Sequence, residues 1–171
     1  PTLKDVSFKI KENSITSIVG RDDSGYKGVY ELLLKMNRQH EGTIMIDDID
    51  IKDIQNVTYY NTVSLISSDP FFFNLSIKEN LTLINRDFEE ITSLCKSLNI
   101  YDEIKALPKG FDNTINDAVS KELRLMLSIA RGLLKKTKII LISDVVFELN
   151  QKDKNLVIKH LKALSKDHTI V

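Results

Sequence analysis

The chain has 171 residues, and its 24 Lys and Arg balance 24 Asp and Glu, so no net field draws it to nucleic acid or to an acidic membrane surface. Its length suits one domain with one core, the single Cys95 allows no intrachain disulfide, and no apolar run approaches the ~20 residues that cross a bilayer. A disulfide scaffold, a basic nucleic-acid reader and a membrane span are excluded, and with no signal peptide at its start a soluble cytoplasmic domain is the expectation.

In chain order, Val6–Ile10 and Ile15–Val19 read as strands parted by the polar turn Lys11-Glu12-Asn13-Ser14. The second runs into a glycine loop, Gly20-Arg21-Asp22-Asp23-Ser24-Gly25-Tyr26-Lys27-Gly28. From Gly28, the spacing of Val29, Leu32, Leu33 and Met36 predicts a helix ending near Asn37. Ile44, Ile46, Ile49 and Ile51 alternate around Asp47-Asp48 and predict a small hairpin, and Thr62–Ile66 is a buried strand candidate. Asp69-Pro70-Phe71-Phe72-Phe73 then interrupts. Helical stripes follow at Phe88, Ile91, Leu94, Cys95 and Leu98, and at Leu123, Met126, Leu127, Ala130 and Leu134. Ile139–Ile142 is a continuous apolar strand, Val157, Leu161 and Leu164 stripe a last helix, and Thr169-Ile170-Val171 reads as a final strand. This alternation predicts an α/β domain with a mainly parallel sheet.

A glycine loop that closes a strand and opens a helix is where a phosphate-binding loop belongs. The pattern G-x-x-x-x-G-K-[ST] works because backbone N–H groups cradle phosphate oxygens, the Lys reaches the outer phosphates and the hydroxyl holds Mg²⁺. Gly20 and Gly25 keep the spacing, but Tyr26 stands at the lysine position and Lys27 at the hydroxyl position. The candidate nucleotide-binding residues are Gly20, Ser24, Gly25, Tyr26, Lys27 and Gly28. Asp22 and Asp23 sit where phosphate oxygens approach the backbone, and like charges at ~4 Å cost from ~1 kcal/mol in water to ~4 kcal/mol near a protein surface.

Further pieces follow in a fixed order. Asp69-Pro70-Phe71-Phe72-Phe73 leads into Ser76-Ile77-Lys78-Glu79-Asn80-Leu81, and Leu107-Pro108-Lys109-Gly110-Phe111-Asp112 precedes Val119-Ser120-Lys121-Glu122-Leu123. Ser128-Ile129-Ala130-Arg131-Gly132-Leu133-Leu134 comes next, and Leu149-Asn150 closes the series. Together with the glycine loop they resemble the nucleotide-binding domain of ABC transporters of the exporter type, over nearly the whole chain. The matching family stretches are the "IxEN" helix start, "LPxGxD", the "LSGGQ" signature, "AxARALL" and the "LD" of the D-loop.

The resemblance implies a P-loop NTPase-like fold for residues 1–171, with a small N-terminal antiparallel part and a helical subdomain inserted at about 75–135. It implies ATP and Mg²⁺ as cofactors where binding is retained. It also implies a head-to-tail pairing with a second such domain, identical or distinct, in which one subunit's phosphate loop meets the other's signature. A transmembrane coupling helix would dock near Phe71–Phe73, on the cytoplasmic face of the cell membrane. The family's Q-loop glutamine falls on Ser68, the signature serine on Ser120, the metal-supporting aspartate on Ser143 and the catalytic glutamate on Asp144, one methylene short of a glutamate base.

Three functional readings stay open. The domain is a degenerate partner with weak or no ATP hydrolysis, or an ATPase using Lys27 and Asp144 shifted by one position, or a nucleotide-independent scaffold. Plainer readings stand beside them. Phe71–Phe73 fit a core as well as an interface, Arg124 and Arg131 fit a solvated helix face, and His168 fits the surface.

Overall fold

The computed structural model describes residues 3–21, 24–37, 40–115 and 119–171, so Asp22 and Asp23 lie outside the described residues. The chain forms two compact units, Pro1–Ser64 with Thr137–Leu141 and Leu164–Val171, and Leu65–Lys136 with Ile142–Ala163.

In the first unit, helix α1 spans Tyr26–Leu33. It starts two residues before the predicted Gly28 because Gly25, left-handed at φ 77°, is its N-cap, and it stops short of Asn37 because Lys35 turns left-handed at φ 56°. The hairpin pairs β1 (Met45–Ile46) with β2 (Ile49–Asp50), antiparallel, with Met45 opposite Asp50 and Ile46 opposite Ile49. Asp47 takes the left-handed turn position at φ 49°, which a short polar side chain tolerates. Helix α2 (Asn56–Thr62) carries no apolar stripe that predicts it, and strand β3 (Val63–Ile66) begins directly after it. With β4 (Ile139–Ile142) and β5 (Thr169–Ile170) it forms a sheet of order β3-β4-β5, in which β4 and β5 run parallel.

Ile15 adds a parallel bridge to Ile170, with Thr16 N–H on the Ile170 carbonyl at 2.8 Å. Past that bridge the predicted strand Ile15–Val19 and the earlier Val6–Ile10 have no ladder partner among the described residues, and Val6, Phe8 and Val19 are exposed. Alternation marks a chain able to pair; pairing itself requires a neighbour.

The core of this unit gathers Ile51, Tyr59, Val63, Leu141 and Val171, with Ile18, Leu33, Leu34 and Ile46 packed against it. Two tyrosines of α2 close the C-terminal end of α1. Tyr59 O–H donates to the Leu33 carbonyl and Tyr60 O–H to the Leu34 carbonyl at 2.9 Å, while Lys35 Nζ donates to Ile54 O at 2.6 Å and lies 4.4 Å from the Tyr59 ring. Burial pushes the Tyr59 phenol up to about 12.

The second unit is mostly helical: α3 (Ile77–Thr82), α4 (Phe88–Ser97), α5 (Tyr101–Ala106), a 3₁₀ turn at Gly110–Asp112, α6 (Lys121–Leu134), α7 (Val145–Glu148) and α8 (Gln151–Leu164). Helix starts are set by local chemistry. Ser76 and Glu79 form a capping box on α3, Asp87 accepts from Glu89 N–H and Glu90 N–H on α4, and Ser120 caps α6. Helix α6 buries Leu123 and every residue from Leu125 to Ala130, so it is covered nearly all round. Gly132 lets it approach β3 closely: a Cβ there would lie 2.3 Å from Ile66 Cγ1 and 2.7 Å from its Cδ1.

Two stability measurements follow from this packing. Gly132→Ala gains helix propensity of ~1 kcal/mol but forces Ile66 off its rotamer, so a net loss of about 1–2 kcal/mol is expected in denaturant titrations. In an Ile66→Ala background the same change becomes neutral or stabilising. Tyr59→Phe leaves the Leu33 carbonyl without its donor and costs about 1–2 kcal/mol, whereas the more exposed Tyr60→Phe costs under about 1 kcal/mol.

Candidate functional site

The glycine loop lies in the first unit. Ser24 N–H donates to Arg21 O at 2.9 Å and Gly28 N–H to Gly25 O at 2.8 Å, so the turn and the first helical bond follow one another directly. A Cβ at Gly20 would lie 2.3 Å from Ser24 Oγ, a side-chain end free to turn aside, and 3.3 Å from the Cβ atoms of Ser24 and Tyr26, so the loop is close-packed there. The N-terminal end of α1, with no acidic residue in its first turn, therefore faces a tightly folded loop. The side chains differ from the intact pattern. Tyr26 is half-buried and lines a groove of about 440 Å³ with Val6, Phe8, Thr16, Ile18 and Ser24. Lys27 is exposed, with Nζ 5.8 Å from the Tyr26 ring centre.

The remaining candidates lie in the second unit, and the structure brings Ser68 and Ser143 together. Ser143 follows β4, its N–H donates to Ile66 O at 3.0 Å, and its hydroxyl accepts from Ser68 N–H at 3.4 Å. Asp144 is the next residue, half-buried, and stands at the start of α7 without a side-chain cap bond. Ser120 is exposed, and its hydroxyl accepts from Leu123 N–H at 3.0 Å and donates to Glu103 Oε1 at 3.3 Å. Its neighbour Lys121 pairs with Glu148 at 2.7 Å. That bond, and a weaker one from the Ser68 hydroxyl, hold the Glu148 carboxyl below the usual glutamate range, while Glu148 raises the Lys121 ammonium. No group of three His, Cys, Asp or Glu is arranged to hold a metal ion among the described residues.

Phe71 and Phe73 are 70% and 51% exposed, so the core reading of these aromatics is set aside. Phe72 is half-buried beneath the Arg131 guanidinium, 4.5 Å from the ring centre, and Arg131 Nη1 donates to Phe71 O at 2.6 Å. Arg131 is therefore not on a solvated helix face. His168 is half-buried too, with Nδ1 3.1 Å from Leu164 O. Sequence reasoning missed the Lys121–Glu148 pair, whose members are 27 positions apart with no periodic signal, and it saw Asn80 only as part of a motif. Asn80 is 1% exposed, and its side chain bonds the main chain of Phe73, Leu75 and Ser76. Asn80 falls three residues after Ile77 and one before Leu81, on the buried face of α3, and that spacing is the signal that could have found it.

The family model described as "ABC transporter" matches residues 3–145. The chain belongs to the ABC transporter family. It is 32% identical over 177 residues to the Lactococcin-G-processing and transport ATP-binding protein LagD of Lactococcus lactis, covering 100% of this chain and 25% of that protein. It is 30% identical over 174 residues to the ABC transporter ATP-binding protein MG015 of Mycoplasma genitalium, covering 99% of this chain and 30% of that one. The chain thus spans about a third or less of the curated relatives it matches. Its fold matches a bacterial Atm1-family ABC exporter solved with ATP bound, at a TM-score of 0.88 and 24% identity over 96% of this chain and 30% of that one. The α/β fold with a parallel sheet and an antiparallel strand pair is that of an ABC ATPase domain. The family match ends at residue 145, so it includes Lys121 but not its partner Glu148. No helix among the described residues is long and apolar enough to cross a membrane.

The Lys121–Glu148 pair has a defined pH signature. Because the folded Glu148 carboxyl titrates below its unfolded value, the pair's contribution is present above the ordinary glutamate range and is lost as pH falls through the lowered value. An NMR titration of Glu148 should show this depression, and Lys121→Ala should return it most of the way to an ordinary glutamate.

Proposed function

We propose that this domain serves an ABC exporter as a nucleotide-binding-type domain whose own ATP site is degenerate. It works by pairing head-to-tail with a second such domain and by docking the membrane-embedded part through the Phe71–Phe73 face. The observation that carries the reading is the contrast between backbone and side chains in the glycine loop. The backbone keeps a left-handed Gly25 at the mouth of α1, which suits phosphate, yet the lysine position holds a half-buried Tyr26.

The Mg²⁺ side of the site fits poorly. Mg²⁺ favours carboxylates with near-octahedral geometry, whereas the residue at the metal-supporting position is Ser143, whose neutral hydroxyl already accepts from Ser68 N–H. Ser68 cannot reach as a glutamine amide would. Nucleotide, where bound, is held by the loop backbone of Gly20, Ser24, Gly25 and Gly28 with Lys27 nearby, and no hydrolytic step is assigned to these residues. In this reading the stretch at about 75–135 is the inserted helical subdomain, Ser120 is offered to a partner's nucleotide, and the domain sits on the cytoplasmic face of the membrane.

A second reading keeps hydrolysis by a shift of one position, with Lys27 as the phosphate lysine and Asp144 as the metal-supporting carboxylate. It is favoured by the exposure of Lys27 and by the position of Asp144 at the end of β4 without a cap bond.

One experiment separates them: calorimetric titration of Mg²⁺-ATP into the full-length protein and into its Tyr26→Lys/Lys27→Ser variant. The degenerate reading expects the restored loop to bind at least about tenfold more tightly, or ~1.4 kcal/mol, than the natural one. Micromolar binding to the natural loop, with turnover abolished by Asp144→Asn, would establish the shifted ATPase instead. Binding to neither protein would point to a nucleotide-independent scaffold.

A further inference from the structure

The segment that presents Phe71 and Phe73 is neither helix nor strand between β3 and α3, so its main-chain groups need partners from elsewhere. Two side chains supply them. The buried Asn80 accepts from Phe73 N–H at 3.0 Å and donates to the carbonyls of Phe73, Leu75 and Ser76 at 3.0–3.2 Å. Arg131 donates to Phe71 O at 2.6 Å and stacks its guanidinium on the Phe72 ring. Arginine suits this double task because its planar fork donates along one edge while its face covers a ring; an ammonium does one or the other. Burial lowers the Arg131 pKa, in keeping with a guanidinium drawn in from solvent.

The same face of α6 follows the chain upstream. Ser128 Oγ donates to Ser67 O at 3.2 Å, and Gly132 admits the Ile66 side chain. The bend is therefore set in register with a helix that cannot turn. On its outer side the Phe71 and Phe73 rings meet edge to face at 5.2 Å and remain exposed, an apolar pair held in place before any partner arrives.

We propose that Arg131 and Asn80 are positioning residues that preform the Phe71–Phe73 bend for docking of the exporter's membrane-embedded part. This rests on the reading of that face as the docking face. A preformed bend does not have to be ordered on binding, so its contacts go undiminished into the interface.

The test places a reporter beside the bend in the full-length protein, cleared of other accessible cysteines, so that both docking rings are kept: Asn74→Cys, at an exposed site, labelled by a water-soluble maleimide. Cys95 is silent, because it is buried and its thiol is pushed up to about 12. Lys105→Cys, at an exposed site away from the bend, gives the unhindered rate. The expected result is slow labelling at position 74 with Arg131 in place, because the docked membrane-embedded part covers it. Arg131→Met should speed it by about tenfold, as when a charge-assisted hydrogen bond holding a loop is lost. Arg131→Lys should fall between, with little change in thermal midpoint. A merely structural role would lower the midpoint without this selective change at position 74. Slow labelling in both the native and Arg131→Met proteins overturns the positioning role and leaves the docking face standing. Fast labelling with Arg131 in place overturns the docking face and this inference with it. Should Arg131→Met not fold, the comparison with Arg131→Lys decides in the same way.

Discussion

The second unit depends on the grip of α6 on the chain that leaves β3. Gly132 has no Cβ, so Ile66 packs into the space a methyl would take; one turn earlier Ser128 holds the Ser67 carbonyl, and Arg131 holds Phe71 and covers Phe72. These contacts recur at the i, i+3, i+4 spacing of one helix face, so a single element fixes the path of seven consecutive residues. The helix itself has no freedom to adjust, because Leu123 and the run Leu125–Ala130 are buried around it. Close-packed interiors transmit displacement instead of absorbing it. The start of α6, where Ser120 and Lys121 sit, and its last turns, which shape the aromatic bend, therefore belong to one rigid piece.

The parts of the fold legible in the sequence are those whose burial leaves a period. The stripe Leu123, Met126, Leu127, Ala130 and Leu134 gave α6 because that helix is buried along it, and the unbroken apolar run Ile139–Ile142 is β4 to the residue. Helix α2 carries no such stripe. Only Tyr59 among its residues is buried, and the helix is held by phenol hydroxyls on the carbonyls of α1, an interaction with no periodicity. Helix α5 likewise buries only Ile104. Val6–Ile10 failed in the opposite sense: the alternation is present, but a strand is a relation between two segments, and one segment cannot declare its partner.

In the glycine loop, legibility divides along a different line. Gly25 is demanded by geometry, through its left-handed φ at the mouth of α1, so the loop's turn into the helix could be read from that glycine. The side chains of Tyr26 and Lys27 are not demanded by the loop's backbone, and so the family is legible in the sequence while the activity is not.

At the ends of β3 and β4 the Ser143 hydroxyl accepts from the Ser68 N–H at 3.4 Å, so each of these polar groups has a partner within the chain. The Lys121–Glu148 pair does the same at the start of α6. With the lysine side chain 72% exposed, such a pair contributes little to stability, but its 2.7 Å contact fixes the direction in which the ammonium points. These local bonds tie the ends of β3 and β4 and the start of α6 to their own neighbours, so the packing of α6 that shapes the aromatic bend needs no ligand to hold it.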